Sequence, residues 1–332
     1  MIRLRVWANA RPMGWFGHAA AEFFFEYDAQ WLTQPGAYVL TPQFALSPQR
    51  YTGALVRSFF ENLLPEGEAL EDVISALHMR QASSFDLLGK DSSAPYLHGL
   101  MQKFADKSQG GWPSWALANH DVERVGSRWG GPDRNLKMLR LAAAFQMCLR
   151  GSPCLYQGDE LGLPEADIAF EDLQDPPGIA MWPEYKGRDG CRTPMPWVSQ
   201  AADIGFGDGK TKAWLPYTEA YRPLAADVQE RDAASHLNFY RQLLQWRRTQ
   251  PALIHGEQTL LPVDPQVMAF VREHEGQRVL CAFNFSAQAA SLPLPSDMQA
   301  LHTITLPGLS GGCLSGHALA FEPFGGLIVQ LA

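Results

Sequence analysis

The sequence has 332 residues, room for two or three domains, and 46% hydrophobic residues allow a large core. A formal net charge of −8 argues against a nucleic-acid binder that works by general charge attraction. Five scattered cysteines, Cys148, Cys154, Cys191, Cys281 and Cys313, lack metal-ligand spacing and read as reduced thiols of a cytoplasmic protein. The opening MIRLRVWANARPMG alternates charged and apolar residues rather than forming a leader, and no stretch approaches membrane-spanning length, so no membrane or direct nucleic-acid contact is expected.

In chain order, the runs IRLRVWANA and AEFFFEYDAQWL, broken by Gly-Pro turns, predict antiparallel strands. Leu55, Phe59, Phe60, Leu63 and Leu64 suit a short helix ended by Pro65, and a second helix is expected around Leu70 to Leu77. From about residue 95 the pattern changes. YLHGLMQKFADKSQGG predicts a helix stopped by glycines, and WPSWALAN a short strand buried on both faces. NLKMLRLAAAFQMCLRG predicts an amphipathic helix closed by Gly151, and SPCLYQG another buried strand. That order is the rhythm of a parallel α/β fold. A Gly-Pro-rich loop follows from about 162 to 232, then a helix in ASHLNFYRQLLQWRRTQ. The runs QVMAFVREH, RVLCAFNFS and GLIVQLA predict a terminal antiparallel β domain.

Three clusters could carry chemistry. Asn119, His120 and Asp121 follow the strand WAL, and polar residues at the carboxyl end of a parallel strand line the functional face. An Asp there stabilises developing positive charge, and a neighbouring His donates to a hydroxyl. An Asx turn closing the strand accounts for the triplet equally well. Arg124 and Arg128 are either part of the group or solvated charges. Tyr156, Gln157, Asp159 and Glu160 in YQGDELGLPEADI fall after the next strand. Their carboxylates lack calcium-loop spacing, so no metal or cofactor is expected and they read as orienting groups. In KGRDGCRTPMPW, Arg188, Asp189 and Arg192 could clamp a polyol while Trp182 and Trp197 stack on a sugar ring. A self-bonded Arg-Asp loop with tryptophans filling gaps is the alternative.

From about Leu97 onward the chain resembles the α-glucosidase branch of the α-amylase family (glycoside hydrolase family 13). NHD with Arg124 resembles that family's fourth signature segment, YQGDELG the segment after its last barrel strand, and RDGCRTPMPW a loop of its α-glucosidase and oligo-1,6-glucosidase members. The resemblance implies a partial (β/α) barrel segment, its last two strands, with a terminal β domain. It implies that Asp121 is the transition-state stabiliser, that His120 bonds hydroxyls of the sugar, and that Arg188 or Arg192 reaches the same sugar. Asn119 and Arg124 join that substrate-binding set, with Tyr156, Gln157 and Glu160 in support. The implied ligand is an α-glucoside.

Members of that family retain configuration and need a carboxylate nucleophile and a carboxylic acid about 5 Å apart. The nucleophile's Arg-x-Asp segment does not occur in the sequence, nor does the acid's segment. Glu66, Glu68 and Glu71 stand in a helix approach, LLPEGEALED, and Glu160 resembles a supporting residue. Residues 1 to about 94 resemble instead the amino-terminal domain of HipA-type toxin kinases, through NLLPEG after RYTGALVRSFF and through FDLLGKDSSA. That likeness implies a β-rich module that helps contact an antitoxin-like partner; no kinase core follows.

The expectation is a mixed α/β chain of three parts: a β-rich module over 1–94, a truncated barrel segment over 95–250 and an antiparallel β domain over 251–332. Function is expected to be α-glucosidase-like without turnover, the alternatives being an antitoxin-binding module or a non-functional fusion remnant. Two strands cannot close a barrel, so loosely anchored domains with a poorly supported middle are expected as well.

Overall fold

The structure is a computed structural model that describes residues 2–8, 11–19, 22–41, 44–53, 56, 59, 83–108, 112–296, 298–306 and 308–332. Of the helix expected over Leu55 to Leu64, only Val56 and Phe59 fall among these. The helix expected around Leu70 to Leu77, with Glu66, Glu68 and Glu71, lies outside the described residues. The chain divides into two compact units: Met1–Ser83 with Ser108–Pro113, and Ser84–Lys107 with Ser114–Ala332.

The first unit is built on a four-stranded antiparallel sheet in sequential order: Ile2–Ala8, Arg11–Ala19, Glu22–Tyr27 and Arg50–Thr52. Met13, Phe16, Phe25, Tyr27, Trp31, Phe44 and Val56 form its apolar core. The Tyr27 hydroxyl sits within that core and keeps both hydrogen-bonding roles, donating to the Phe44 carbonyl and accepting from the Leu40 N–H, each at 2.7 Å. Elsewhere on the sheet Arg3 and Arg5 lie over the Trp15 ring and Arg50 over Phe24, with Glu26 and Asp28 as ionic partners. Gly14 is required by close packing: a Cβ there would come within 2.5 Å of the Glu26 carbonyl.

The second unit contains a parallel pair, Ser114–Ala116 with Ser152–Cys154, joined through the helix Leu136–Cys148. Asn135 caps that helix by accepting the Lys137 and Met138 N–H groups. The run LKMLRLAAAFQMC has good helix formers, no β-branched residue, and ten buried positions, so the helix is wrapped nearly all round. On one side it meets the helix His236–Arg247, which Ser235 caps. On another it meets the terminal β region.

That region has a five-stranded sheet, ordered Ala300–Ile304, Gly326–Leu331, Gln277–Asn284, Val267–His274 and Glu257–Leu260, and a three-stranded sheet of Ala290–Pro293, Ala318–Phe321 and Gly312–Ser315. The two-residue period of a strand divides its side chains between two cores. Met268, Phe270, Val279, Cys281, Phe283 and Ile328 join the core that holds the Leu136–Cys148 helix. Val267, Ala269, Val271, Leu280, Ala282 and Val329 join the core shared with the smaller sheet. Burial on both faces is why these strands show no polar alternation in sequence.

A poorly supported middle is therefore not what the structure shows. Phe145 is fully buried and meets Phe270, Phe283 and Phe285 edge-on at centroid separations of 6.2, 5.7 and 5.3 Å. Arg272, wholly buried, donates to the carbonyls of Cys148, Leu253 and Gly256 at 2.6, 3.1 and 2.9 Å, tying the helix end to the sheet. Burial lowers its pKa to about 10, still far above neutrality, so the charge-assisted bonds persist. The second apolar face of the terminal sheet supports the parallel segment.

Candidate functional site

Asn119, His120 and Asp121 follow the strand Ser114–Ala116 and begin a turn. The Asp121 N–H donates to Asn119 Oδ1 at 2.8 Å, which is the Asx turn the sequence allowed. The turn leaves the Asp121 carboxylate free to collect cations. Its Oδ1 accepts from Arg188 Nη1 at 2.8 Å and Arg192 Nη2 at 3.1 Å, while His120 Nε2 lies 3.3 Å from Oδ2. Arg192 Nε also donates to the His120 carbonyl at 2.7 Å. The Asp121 side chain is 32% exposed and that of His120 59%, so this corner is open to a ligand.

Behind Arg188 stands Asp175, whose side chain is fully buried. Its Oδ1 accepts from Arg188 Nη2 at 2.7 Å, and its Oδ2 from Arg188 Nε at 3.2 Å and the Arg188 backbone N–H at 3.0 Å. These bonds to Arg188 hold the Asp175 carboxyl below the usual carboxylate range and push the Arg188 guanidinium up. Asp189 does not reach the corner. It is wholly buried, and its Oδ2 accepts the N–H groups of Gln174 at 2.6 Å and Asp175 at 2.8 Å, fixing the turn that presents Asp175. Gly187 has φ +76°, and a Cβ there would fall 2.7 Å from Asp175 Oδ2. The order of support thus runs from Asp189 to Asp175 to Arg188 to Asp121. A cavity of about 430 Å³ opens beside it, lined by Asp121, Arg188, Glu165, Lys90, Tyr185 and Lys186, among others.

The remaining expected residues form a different group. Arg124 is 1% exposed; Nη1 donates to the Gln157 carbonyl at 2.7 Å, and the guanidinium carbon lies 5.4 Å from the centre of the Tyr156 ring. Its backbone N–H donates to Glu165 Oε2 at 2.8 Å, and the Glu165 N–H donates in turn to Ser127 Oγ at 2.8 Å. The Tyr156 hydroxyl donates to the Cys191 carbonyl at 3.0 Å, and Glu160 Oε2 accepts from Gly158 at 2.9 Å. Asp159 Oδ2 accepts the Tyr156 N–H at 3.1 Å. Burial pushes the Asp159 and Glu165 carboxyls up to about 7.

The structure thus brings together His120, Asp121, Arg188 and Arg192, with Asn119 shaping the turn. It places Arg124, Tyr156, Gln157 and Glu160 in a supporting scaffold. Trp182 lies under the Lys186 ammonium and beside Phe170, while Trp197 is half exposed. Sequence reasoning missed Asp175 and Glu165. Asp175 precedes two prolines in QDPPG and reads as turn punctuation; Glu165 lies inside LPEADI with no partner nearby in sequence. Among the described residues no group of three His, Cys, Asp or Glu side chains could hold a metal, and no helix is long and apolar enough to cross a membrane.

A parallel strand pair that ends in an acid met by two arginines, followed by a terminal β domain, is an arrangement this chain shares with one family of proteins. The alpha amylase catalytic domain matches residues 72–256, the maltogenic amylase C-terminal domain residues 258–328 and the HipA N-terminal domain residues 4–93. The first match covers more than half of the chain, and the chain belongs to the α-amylase family.

A probable alpha-glucosidase of Rhizobium meliloti is 40% identical over 258 residues, which is 77% of this chain and 45% of that protein. A probable oligo-1,6-glucosidase of Bacillus subtilis is 31% identical, covering 62% of this chain and 41% of the relative. The chain thus spans less than half the length of these relatives. Among solved structures, the alpha-glucosyl transfer enzyme XgtA aligns with a TM-score of 0.71 at 43% identity, over 76% of this chain and 46% of that one. A variant of MutB in complex with the substrate sucrose aligns with a TM-score of 0.63 at 26% identity, over 73% and 47%.

Proposed function

We propose that this chain binds α-glucosides at the Asp121 corner and does not hydrolyse them. In this reading Ser114–Ala116 and Ser152–Cys154 are the last two strands of a barrel, Asp121 is the family's stabilising acid, and His120 and Arg192 bond the hydroxyls of one glucose ring. Arg188, held from behind by Asp175, holds the Asp121 carboxylate in place. The observation that carries the reading is the convergence of Arg188, Arg192 and His120 on one half-exposed carboxylate.

That carboxylate suits a cationic, oxocarbenium-like ring, but cleavage also needs a nucleophile and an acid about 5 Å apart. Asp159 and Glu165 do not serve as that pair, because both are engaged with backbone N–H groups inside the scaffold. Retained binding with lost turnover is the consequence.

Calorimetric titration with maltose, alongside a turnover assay on a nitrophenyl α-glucoside, tests this. Saturable binding at this corner is expected, weakened at least about a hundredfold and so beyond detection in Asp121→Asn, with no turnover above background. Hydrolysis that Asp121→Asn abolishes would show that the chain still cleaves.

The HipA N-terminal match over residues 4–93 supports a second role, contact with an antitoxin-like protein through the β-rich module up to about residue 94. Retention of such a partner by the full chain, and its loss when Arg3, Arg5 and Arg50 are replaced by Ala, checks that role.

A further inference from the structure

The loop after the Arg192 segment, residues 197–217, exposes more aromatic surface than a loop needs. Trp197, Phe206 and Trp214 are 50%, 54% and 60% exposed. Phe206 lines a cavity of about 420 Å³ together with Pro194, Leu215, Pro216 and Tyr217. This cavity shares no lining residue with the one beside Asp121.

The loop is held stiffly despite its glycines. Both Trp197 and Val198 donate their N–H groups to the Ile204 carbonyl at 2.8 Å, and Ile204 is wholly buried. The Asp203 carboxylate accepts three backbone N–H groups, from Gly205 at 3.0 Å, Gly207 at 2.5 Å and Gly209 at 3.2 Å. The Tyr217 hydroxyl donates to the Ala202 carbonyl at 2.7 Å, and Arg222 Nη1 donates to the carbonyls of Ser199 at 2.6 Å and Ala201 at 2.8 Å. An exposed aromatic on such a frame is preorganised, and binding to it orders little.

Charge then narrows the ligand. Three charged residues line the wall, and each already has a partner. Asp203 is taken by the glycine amides. Asp208 Oδ1 accepts the N–H groups of Lys210 at 2.9 Å and Thr211 at 3.3 Å. Lys212 pairs with Asp172 at 3.3 Å. A charged ligand finds no unpaired counter-ion here. A neutral ligand with an apolar face for the rings and hydroxyls for Thr211 and the carboxylate rim fits both features, and a pyranose has both.

We infer that this groove is a second carbohydrate-binding site, separate from the Asp121 corner, that takes neutral oligosaccharides by stacking on Phe206 and Tyr217. It binds sugar whether or not the corner does.

The test uses the full chain carrying Asp121→Asn, which silences the corner, titrated with maltose, isomaltose and maltotriose by calorimetry and tryptophan fluorescence. Mannitol, with hydroxyls but no ring face, is the negative control. Saturable binding of the sugars is expected, weakened about tenfold or more by Phe206→Ala. The parent chain should bind two sugars and the Asp121→Asn chain one. A parent chain that binds one sugar, lost in Asp121→Asn, upholds the corner and rejects the groove. The inference also falls if Phe206→Ala, with an unchanged melting temperature, binds as tightly as Asp121→Asn alone, or if mannitol binds as well as the sugars.

Discussion

The Asp121 corner and the Arg124 scaffold use the same residue types, three positions apart in sequence, for opposite ends. At the corner, Arg188 bridges the half-exposed Asp121 and the buried Asp175, and its bonds outweigh the burial of Asp175, which is held below the usual carboxylate range. In the scaffold Asp159 is buried and Glu165 partly so, and desolvation outweighs the bonds they accept, so both sit at about 7. A family motif therefore mixes residues at the edge of solvent with residues that only build the wall behind them. Burial and hydrogen bonding tell the two apart where residue type does not.

The sharpest way to test that division is to remove the centre of the scaffold. Arg124→Ala deletes a side chain that is 1% exposed, frees the Gln157 carbonyl and takes a cation away from Asp159 and Glu165. A loss of about 3 kcal/mol is expected, measured by urea unfolding. A loss under about 0.5 kcal/mol, the range of an ordinary surface change, would mean that Arg124 is no scaffold residue.

The next effect is a pH dependence with a defined sign. Asp159 and Glu165 have folded pKa values near 7, raised above their ordinary values of 3.8 and 4.5. The folded state thus holds protons that the unfolded state has released, and stability falls as pH rises toward and through 7. His236 acts in the opposite direction but lower: burial brings it to about 3 from 6.5, so its contribution grows as pH rises and is complete above 6.5. Between pH 6.5 and 8.5 the two acids carry most of this dependence among the described groups, with the raised thiols of Cys154, Cys191 and Cys281 adding to it near the upper end, and the two acids together should cost about 1.5 kcal/mol. Unfolding curves across that window should slope downward in the parent and flatten in Asp159→Asn, Glu165→Gln. An equal slope in both would place the titration elsewhere.

Much of this architecture was legible in the sequence, and the failures have physical causes. The helix Leu136–Cys148 and the strands Val267–His274, Gln277–Asn284 and Gly326–Leu331 follow their apolar runs closely, because burial selected those runs. The support of the middle was not legible. It depends on Phe145 meeting Phe270 and Phe283, more than a hundred positions away, and no local pattern reports which face of a two-sided strand a helix will cover. At the site, Arg188, Arg192 and His120 were found because they stand in recognisable segments. Asp175 was not, since a lone Asp before Pro-Pro looks like a turn until Arg188 folds back onto it. Asp189 stood between a sugar clamp and a self-bonded Arg-Asp loop; it serves the backbone of Gln174 and Asp175, a use that only the folded turn reveals.

The smallest effect bears most directly on the corner. Asp121→Asn removes a charge that two arginines and a histidine surround, and a structural ion pair would register that as a large loss. Here it should not. The Asp121 side chain is 32% exposed and that of Arg188 34%, and water screens such pairs heavily. Arg188 also keeps its buried partner Asp175, so no guanidinium is left stranded when the Asp121 charge goes. The Asx turn survives too, because it uses the Asp121 backbone N–H and the Asn119 side chain. Stability should therefore stay within about 0.5 kcal/mol of the parent while sugar affinity drops. That combination separates a carboxylate kept for a ligand from one kept for the fold. If Asp121→Asn unfolds with Arg124→Ala, the corner belongs to the scaffold, and the two regions do not differ in kind.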